Sequence, residues 1–161
     1  MNSQNEIFYW IDLIFIRHFG SFCLISALIA GYIQTLHSLM AVKKRPELKE
    51  EYQKLILGFT LFMALPWLFI ALGELIQGIP GMYYFFLFGN GNFFSWIFVI
   101  TIFCEYAIFL YWLWFRKGAE LLFSHPLLFY RVSSPRMGQI LFTLMILGGI
   151  IGISFLISIT V

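Results

Sequence analysis

The sequence predicts an all-α membrane protein, a bundle of four transmembrane helices that forms one domain over residues 1–161. Apolar residues make up 61% of the 161 residues and charged residues only 11%, whereas soluble proteins carry about 25% charge. The chain contains four apolar runs of about 20 residues, the length that crosses the hydrocarbon core of a bilayer. Lysine and arginine also cluster in the links on one side of those runs, as in multi-pass proteins.

The four predicted spans are residues 19–41, 55–77, 94–116 and 139–161. Residues 6–18 mix aromatic and charged side chains, so we expect them to lie in the interface or to extend the first helix outward, with Gly20 as a bend. The link 78–93 is rich in glycine and aromatics and contains a GNGN turn signal. The link after the third span is amphipathic, so we expect its leucines at the headgroup boundary.

The positions of the basic residues predict the orientation. The link between the second and third spans contains no charge. Nine of the ten Lys and Arg lie in the other two links: Lys43, Lys44, Arg45, Lys49, Lys54, Arg116, Lys117, Arg131 and Arg136. Since basic loops stay in the cytoplasm, both termini are expected outside. We expect a multi-pass protein of the bacterial inner (plasma) membrane, with an organellar membrane as the alternative.

The third span carries one carboxylate, Glu105, near its middle. An ionisable side chain at that depth is costly and is a functional candidate by default. Thr101 is its one polar neighbour a turn away, and desolvation disfavours the anion, so we expect a protonated carboxyl. Glu105 is then either a proton or cation site in a transport path or a neutral acid that bonds a neighbouring helix. Such bonds contribute only about 0.6 kcal/mol on average.

Pro66 lies near the middle of the second span, at about the depth of Glu105. Proline removes a helix hydrogen bond and leaves the carbonyl of Phe62 without its usual partner. A protonated Glu105 on a neighbouring helix is one donor for that carbonyl. The kink either shapes the bundle or serves as a gating hinge.

Gln34, His37 and Ser38 form a polar patch on the inner half of the first span. His37 is a candidate proton shuttle or haem ligand. A b-type haem needs two histidines at one depth, and His18 and His125 lie at other levels. No cofactor is therefore predicted, and haem stays an alternative only for an oligomer that shares ligands between subunits.

Glu74 and Gln77 end the second span on the outer side. With Asp12 and Glu6 they form a candidate acidic vestibule that attracts cations, although such residues also mark where a helix meets water. Arg17 is the lone outer basic residue, and we expect it to pair with Asp12 or Glu74.

Small residues predict close helix packing in the first and last spans. Gly31 lies on a small-residue stripe of the first span, and Gly148, Gly149 and Gly152 lie in the last. The Gly148-x-x-x-Gly152 spacing lets helix backbones approach closely. The sequence leaves open whether these contacts form within the subunit or between subunits.

No enzyme chemistry is signalled. Glu120, His125 and Arg131 near the inner interface match no catalytic constellation. Cys23 and Cys104 lie far apart in apolar runs, so neither a metal site nor a thiol relay is predicted. A net charge of +2 is too small to indicate a nucleic-acid partner.

Two function classes fit these observations. The first is a channel or transporter for a proton or small ion, a homo-oligomer in the lipid bilayer. The second is a structural or accessory subunit that docks other membrane subunits. The candidate functional residues are Glu105, Glu74, His37, Gln34 and Pro66.

Overall fold

The computed structural model describes residues 9–44, 46–124 and 134–161. These residues form five α-helices and no strand: α1 (Phe19–Lys44), α2 (Lys49–Gln77), α3 (Phe93–Phe115), α4 (Gly118–Ser124) and α5 (Pro135–Thr160). Four of them, α1, α2, α3 and α5, are long and apolar enough to cross a membrane. The prediction of an all-helical membrane protein with four spanning helices is therefore confirmed. Arg45, residues 6–8 and residues 125–133 of the amphipathic inner link, which include His125 and Arg131, lie outside the described residues.

The spanning helices pack in chain order. We call the end near Gly78–Phe93 the outer end and the opposite end the inner end, following the predicted orientation. The most extensive contact is that of α1 with α2, and the contact of α2 with α3 comes next. Helix α5 packs less extensively, on α4 and α3. Within the described residues α1 and α5 share no extensive contact. Helix α5 is the least buried of the four spanning helices, since only 6% of its apolar 18-residue stretch is buried.

Local caps set where two of the helices begin. The Asn92 side chain accepts from the Phe94 and Ser95 amides at 3.0 and 3.2 Å, and α3 starts immediately after it. The Ser134 hydroxyl accepts from the Met137 amide at 3.2 Å, and Pro135 occupies the first turn. Proline there is favourable because its missing N–H is unpaired at a helix start anyway. Helix α5 therefore starts four residues before the predicted span at 139.

The segment before α1 is a separate turn of helix. Asp12–Arg17 is π-helical, and His18 at φ −111° and ψ 33° separates it from α1. The break thus falls at His18, two residues before the bend predicted at Gly20. The Arg17 guanidinium and the Asp12 carboxylate are 3.1 Å apart, which confirms the first of the two predicted pairings for Arg17.

The outer link folds back onto the helix ends. Gly81–Phe86 forms a 3-10 helix, and the Tyr84 and Phe88 side chains are buried. A turn over Phe88–Gly91 follows, in which the Gly91 amide donates to the Phe88 carbonyl at 3.0 Å. Gly91 has φ +65°, which glycine adopts without the strain that a Cβ would add.

Two apolar cores result, one toward each end of the spans. The outer core contains Ile70, Tyr84, Phe88, Phe98 and Val99. The inner core contains Leu55, Leu113, Ala119 and Leu122. On α3, Glu105 lies between these two groups in sequence.

Candidate functional site

Glu105 lies at the interface of α3 with α2. Phe98 and Phe109 are seven residues before and four residues after it, so all three share one helix face. Phe98 meets Trp67 of α2 with ring centroids 5.2 Å apart, and Phe109 meets Phe62 of α2 at 5.7 Å. Only 9% of Glu105 is exposed. The carboxyl is therefore buried at mid-span, on the face of α3 that packs on α2.

Within the part of the chain that the structure describes, the buried Oε1 of Glu105 has no hydrogen-bond partner. The bond from a protonated Glu105 to the freed carbonyl of Phe62 stays a prediction. Thr101, its polar neighbour, instead donates to the Ile97 carbonyl of its own helix at 2.7 Å. An unpaired buried polar group costs about 1–3 kcal/mol of stability. The packing thus leaves Oε1 of Glu105 without a hydrogen bond.

Pro66 is buried within α2 and lies one turn from Phe62. Because proline has no N–H, the Phe62 carbonyl lacks its intrahelical donor. The ring pairs place Phe62 opposite Phe109 and Trp67 opposite Phe98. Glu105 lies between those two levels on α3, and Pro66 lies between them on α2. The proline and the unpaired carboxyl therefore occupy the same layer.

An aromatic layer closes this site toward the outer end. Phe19, Trp67, Phe85 and Phe98 come from four different segments, and their neighbouring ring centroids are 5.2–6.3 Å apart. Most of the pairs are edge-to-face or tilted, the arrangements that aromatic rings prefer. The Phe98 ring lies about 10 Å from Glu105 along the helix axis. Glu105 is thus separated from the outer surface by packed rings.

Glu74 caps the start of α1, beyond the aromatic layer. Its Oε1 accepts from the Gly20 amide at 2.6 Å. Its Oε2 accepts from the Ser21 amide at 3.1 Å and from the Ser21 hydroxyl at 2.6 Å. The first amides of a helix have no intrahelical acceptor, and a negative group is favourable at that end. The vestibule role predicted for Glu74 stays a prediction, but its carboxylate is occupied by this cap.

Three glycines permit close packing around the Glu74 cap. A Cβ on Gly81 would meet the Glu74 carboxylate, and one on Gly20 would meet Ile70. A Cβ on Gly73 would meet the Tyr84 ring. Each glycine therefore permits a close approach that a side chain would prevent.

Tyr84 joins the cap to the outer link. Its hydroxyl donates to Gln77 Oε1 at 3.1 Å, and Asn92 Nδ2 donates to the same oxygen at 3.0 Å. The Ser95 hydroxyl donates to the Tyr84 carbonyl at 2.7 Å. Burial, and then the nearby Glu74 carboxylate, raise the pKa of the Tyr84 phenol to about 12. The phenol is therefore neutral at physiological pH and remains a donor.

A cleft of about 420 Å³ approaches the site from the inner end, between α2 and α3. Glu51 and Lys54 lie at its mouth, and Phe62, Ile108 and Phe109 lie deepest along the two helices. The Phe62 and Phe109 rings, 5.7 Å apart, lie between this cleft and Glu105. The Phe109 ring also packs on Phe59, Trp112 and Phe142, so a cluster of aromatic rings encloses the carboxyl on the inner side.

The other predicted candidates lie on α1. Gln34 is exposed and lines a groove of about 270 Å³ between α1 and α2, together with Gly31 and Thr60. His37 is exposed on α1. Ser38 is buried and donates to the Thr35 carbonyl at 2.7 Å. Since α1 packs on α2 and Glu105 lies on the far side of α2, the structure does not bring this patch to Glu105.

The predicted packing glycines fall into two groups. A Cβ on Gly31 would overlap the Thr60 side chain, and one on Gly149 would meet the Tyr106 hydroxyl at 2.7 Å. At Gly148 and Gly152, no atom of the described residues lies within 4 Å of such a Cβ. The first two glycines therefore serve contacts within this chain. Close packing of the other two against a second subunit stays a prediction.

Both cysteines are free. Among residues 9–44, 46–124 and 134–161, no group of three or more His, Cys, Asp or Glu could hold a metal ion. Comparison with protein-family models, with curated proteins and with solved structures finds no match to this chain.

Proposed function

We propose that this small multi-pass membrane protein is a channel or transporter for a proton or a small cation, with Glu105 as the site that binds it. The observation that carries the proposal is the buried, unpaired Oε1 of Glu105 at the α2–α3 interface. An acid kept for structure would be hydrogen-bonded, because an unpaired one only destabilises the fold. A group held at a cost to stability is typical of functional sites.

Pro66 supports a transport role because it offers a second ligand and a hinge. The carbonyl that it frees on α2 is an oxygen acceptor in the layer of Glu105. Broken helix hydrogen bonds within a membrane are tolerated where other groups satisfy them. A proton or cation bound between the Glu105 carboxyl and this carbonyl would satisfy both. Bending of α2 at Pro66 would then alter the aromatic packing on either side.

The proposed cycle opens the two aromatic barriers in turn. Separation of Phe62 from Phe109 joins Glu105 to the inner cleft, and separation of Trp67 from Phe98 joins it to the outer end. Because the Phe62–Phe109 pair and the Trp67–Phe98 pair both join α2 to α3, one rocking motion of these helices separates each pair in turn. Opening of the outer layer also requires movement of Phe19 and Phe85, which pack on Trp67. We further infer that the basic links face the cytoplasm, which places the cleft on that side.

An accessory subunit of a larger membrane complex is the second candidate. The observation that favours it is the exposure of α5, of whose apolar window only 6% is buried. A partner helix against Gly148 and Gly152 would cover part of this face. The same face also suits a homo-oligomer of the transporter.

Flux through purified protein in proteoliposomes tests the proposal. Wild-type protein should acidify or alkalinise the lumen under an imposed membrane potential, as read by a trapped pH dye, or take up a labelled monovalent cation. Glu105→Gln keeps the side-chain shape but removes the titratable group, so it should abolish the flux. Glu47→Gln removes an exposed carboxylate outside the spans and should leave flux unchanged. Equal flux in Glu105→Gln and wild type would refute the proposal.

A further inference from the structure

The inner cleft has the shape and depth of a site for a lipid chain. It is lined on α2, α3 and α4 by apolar side chains, among them Leu55, Phe59, Trp112 and Leu121. Phe62, at its deep end, follows Lys54 at its mouth by eight positions, which is about 12 Å of helix rise. One leaflet of the hydrocarbon core is about 15 Å thick. The cleft therefore runs through most of the inner leaflet, at the depth of acyl chains.

Gly58 keeps the wall of this cleft open. It lies inside α2, where glycine destabilises a helix relative to alanine. No described atom lies within 4 Å of a Cβ placed on it, so no close approach among the described residues requires glycine. A larger side chain there would project into the cleft, which Gly58 lines.

The mouth of the cleft carries one charge of each sign, Glu51 and Lys54, and Lys54 is the residue that an anionic headgroup can contact there. Lys54 lies 3.7 Å from Glu50, and both side chains are at least 80% exposed. Such an exposed salt bridge is weak, so another anion readily replaces Glu50 as the partner of Lys54. Arg116 and Lys117 follow the inner end of α3 and are also exposed. Basic residues at a membrane surface attract anionic lipids.

We propose that the cleft between α2 and α3 binds one acyl chain of an anionic phospholipid, with the phosphate at Lys54. The chain fills the apolar volume up to the Phe62–Phe109 pair. Because the acyl chain occupies the cleft through which the inner barrier of the proposed transport cycle opens, a bound lipid closes that path, and this part of the inference rests on the proposed function. The contact does not involve the Glu105 carboxyl, so Glu105→Gln removes transport and leaves lipid binding intact. The site is therefore a second ligand site of the protein.

Native mass spectrometry of protein released from detergent micelles tests this proposal. The probes are phosphatidylglycerol and phosphatidylcholine with identical chains. Wild type should retain phosphatidylglycerol about fivefold more tightly, as one lysine near the headgroup provides, and Lys54→Ala should remove this preference. Gly58→Leu should weaken binding of both lipids at least about tenfold, because it displaces two or more methylenes of the chain.

Gly148→Leu is the matched control, since it adds the same side chain at an equally open glycine of a spanning helix. It should bind phosphatidylglycerol like wild type, and so should Glu105→Gln. Wild-type affinity in Gly58→Leu would overturn the proposal, as would equal retention of both lipids by wild type. A changed oligomeric state of Gly58→Leu with lipid retention intact would assign the cleft to a second copy of the chain and would also overturn it.

Discussion

Two buried glutamates of this membrane protein have opposite environments. Glu74 accepts three hydrogen bonds from Gly20 and Ser21 at 2.6–3.1 Å. Glu105 leaves its buried Oε1 without a partner among the described residues. Charge-assisted bonds to free helix amides are strong, whereas an unpaired buried oxygen destabilises. Glu74 therefore stabilises the fold, and Glu105 is the residue whose presence stability does not explain.

The raised pKa of Tyr84 predicts how the stability of the fold changes at alkaline pH. Its pKa of about 12 lies above the ordinary value of 10, so the folded state holds the phenolic proton more tightly than the unfolded state. This contribution to stability is complete below about pH 10 and is lost as pH rises from 10 to 12. Unfolding monitored by circular dichroism should show a smaller decline over this range in Tyr84→Phe than in wild type.

Tyr83→Phe is the matched control for that measurement, because Tyr83 is the neighbouring residue and is 53% exposed. It should decline like wild type. Identical pH profiles for Tyr84→Phe and wild type would show that burial of this phenol does not couple to folding.

For single residues, the sequence predicted which ones are important more successfully than it predicted their contacts. Glu105 and Pro66 were identifiable because a carboxylate and a proline inside an apolar run break its pattern. The cap that Glu74 forms was not identifiable from the sequence, because it joins residues more than fifty positions apart. A signal was present in Gly20 and Ser21, small residues at a helix start whose amides need an acceptor. Only the packing of α1 on α2 shows that Glu74 supplies it.

The seam between α1 and α2 depends on small residues. Gly31 lies against Thr60, whose hydroxyl donates to the Ile56 carbonyl at 2.8 Å within its own helix. With the polar atom paired locally, the two helices meet through close packing, the main source of helix association in membranes.

Gly31→Leu should therefore force α1 and α2 apart. Overpacking of this kind lowers the free energy of unfolding by about 1–3 kcal/mol, which denaturant titration in detergent measures. Gly148→Leu adds the same side chain where no described atom lies within 4 Å and should leave the monomer's stability unchanged. A larger loss for Gly148→Leu than for Gly31→Leu would contradict the described packing.

Apolar length predicted the four spanning helices, because bilayer thickness sets that length. Their ends differ from the prediction where polar chemistry extends them. Helix α2 begins at Lys49 instead of residue 55, since Glu50 and Glu51 favour a helix start. Helix α5 begins at Pro135 because Ser134 caps it. A search for apolar runs does not detect such helical turns, because they lie outside the hydrocarbon core of the bilayer.

Among residues 9–44, 46–124 and 134–161, the outer end of the molecule is closed by packed side chains, and a cleft enters from the inner end. The outer link, the Glu74 cap and the ring layer around Trp67 form one packed unit. At the inner end, the cleft reaches to the Phe62–Phe109 pair. Glu105 lies between the outer and inner cores, where α2 also carries Pro66. The sequence did not predict this asymmetry, because it arises from side chains of four segments that meet only after folding.

Glu74 stabilises the fold and Glu105 does not. The most direct test gives both residues the same substitution, Glu74→Leu and Glu105→Leu, and measures unfolding free energies in one detergent. Glu74→Leu leaves the Gly20 and Ser21 amides without an acceptor and should lose about 3 kcal/mol. Glu105→Leu removes an unpaired polar group and should leave the stability equal to or above that of wild type. A loss for Glu105→Leu as large as that for Glu74→Leu would contradict the account.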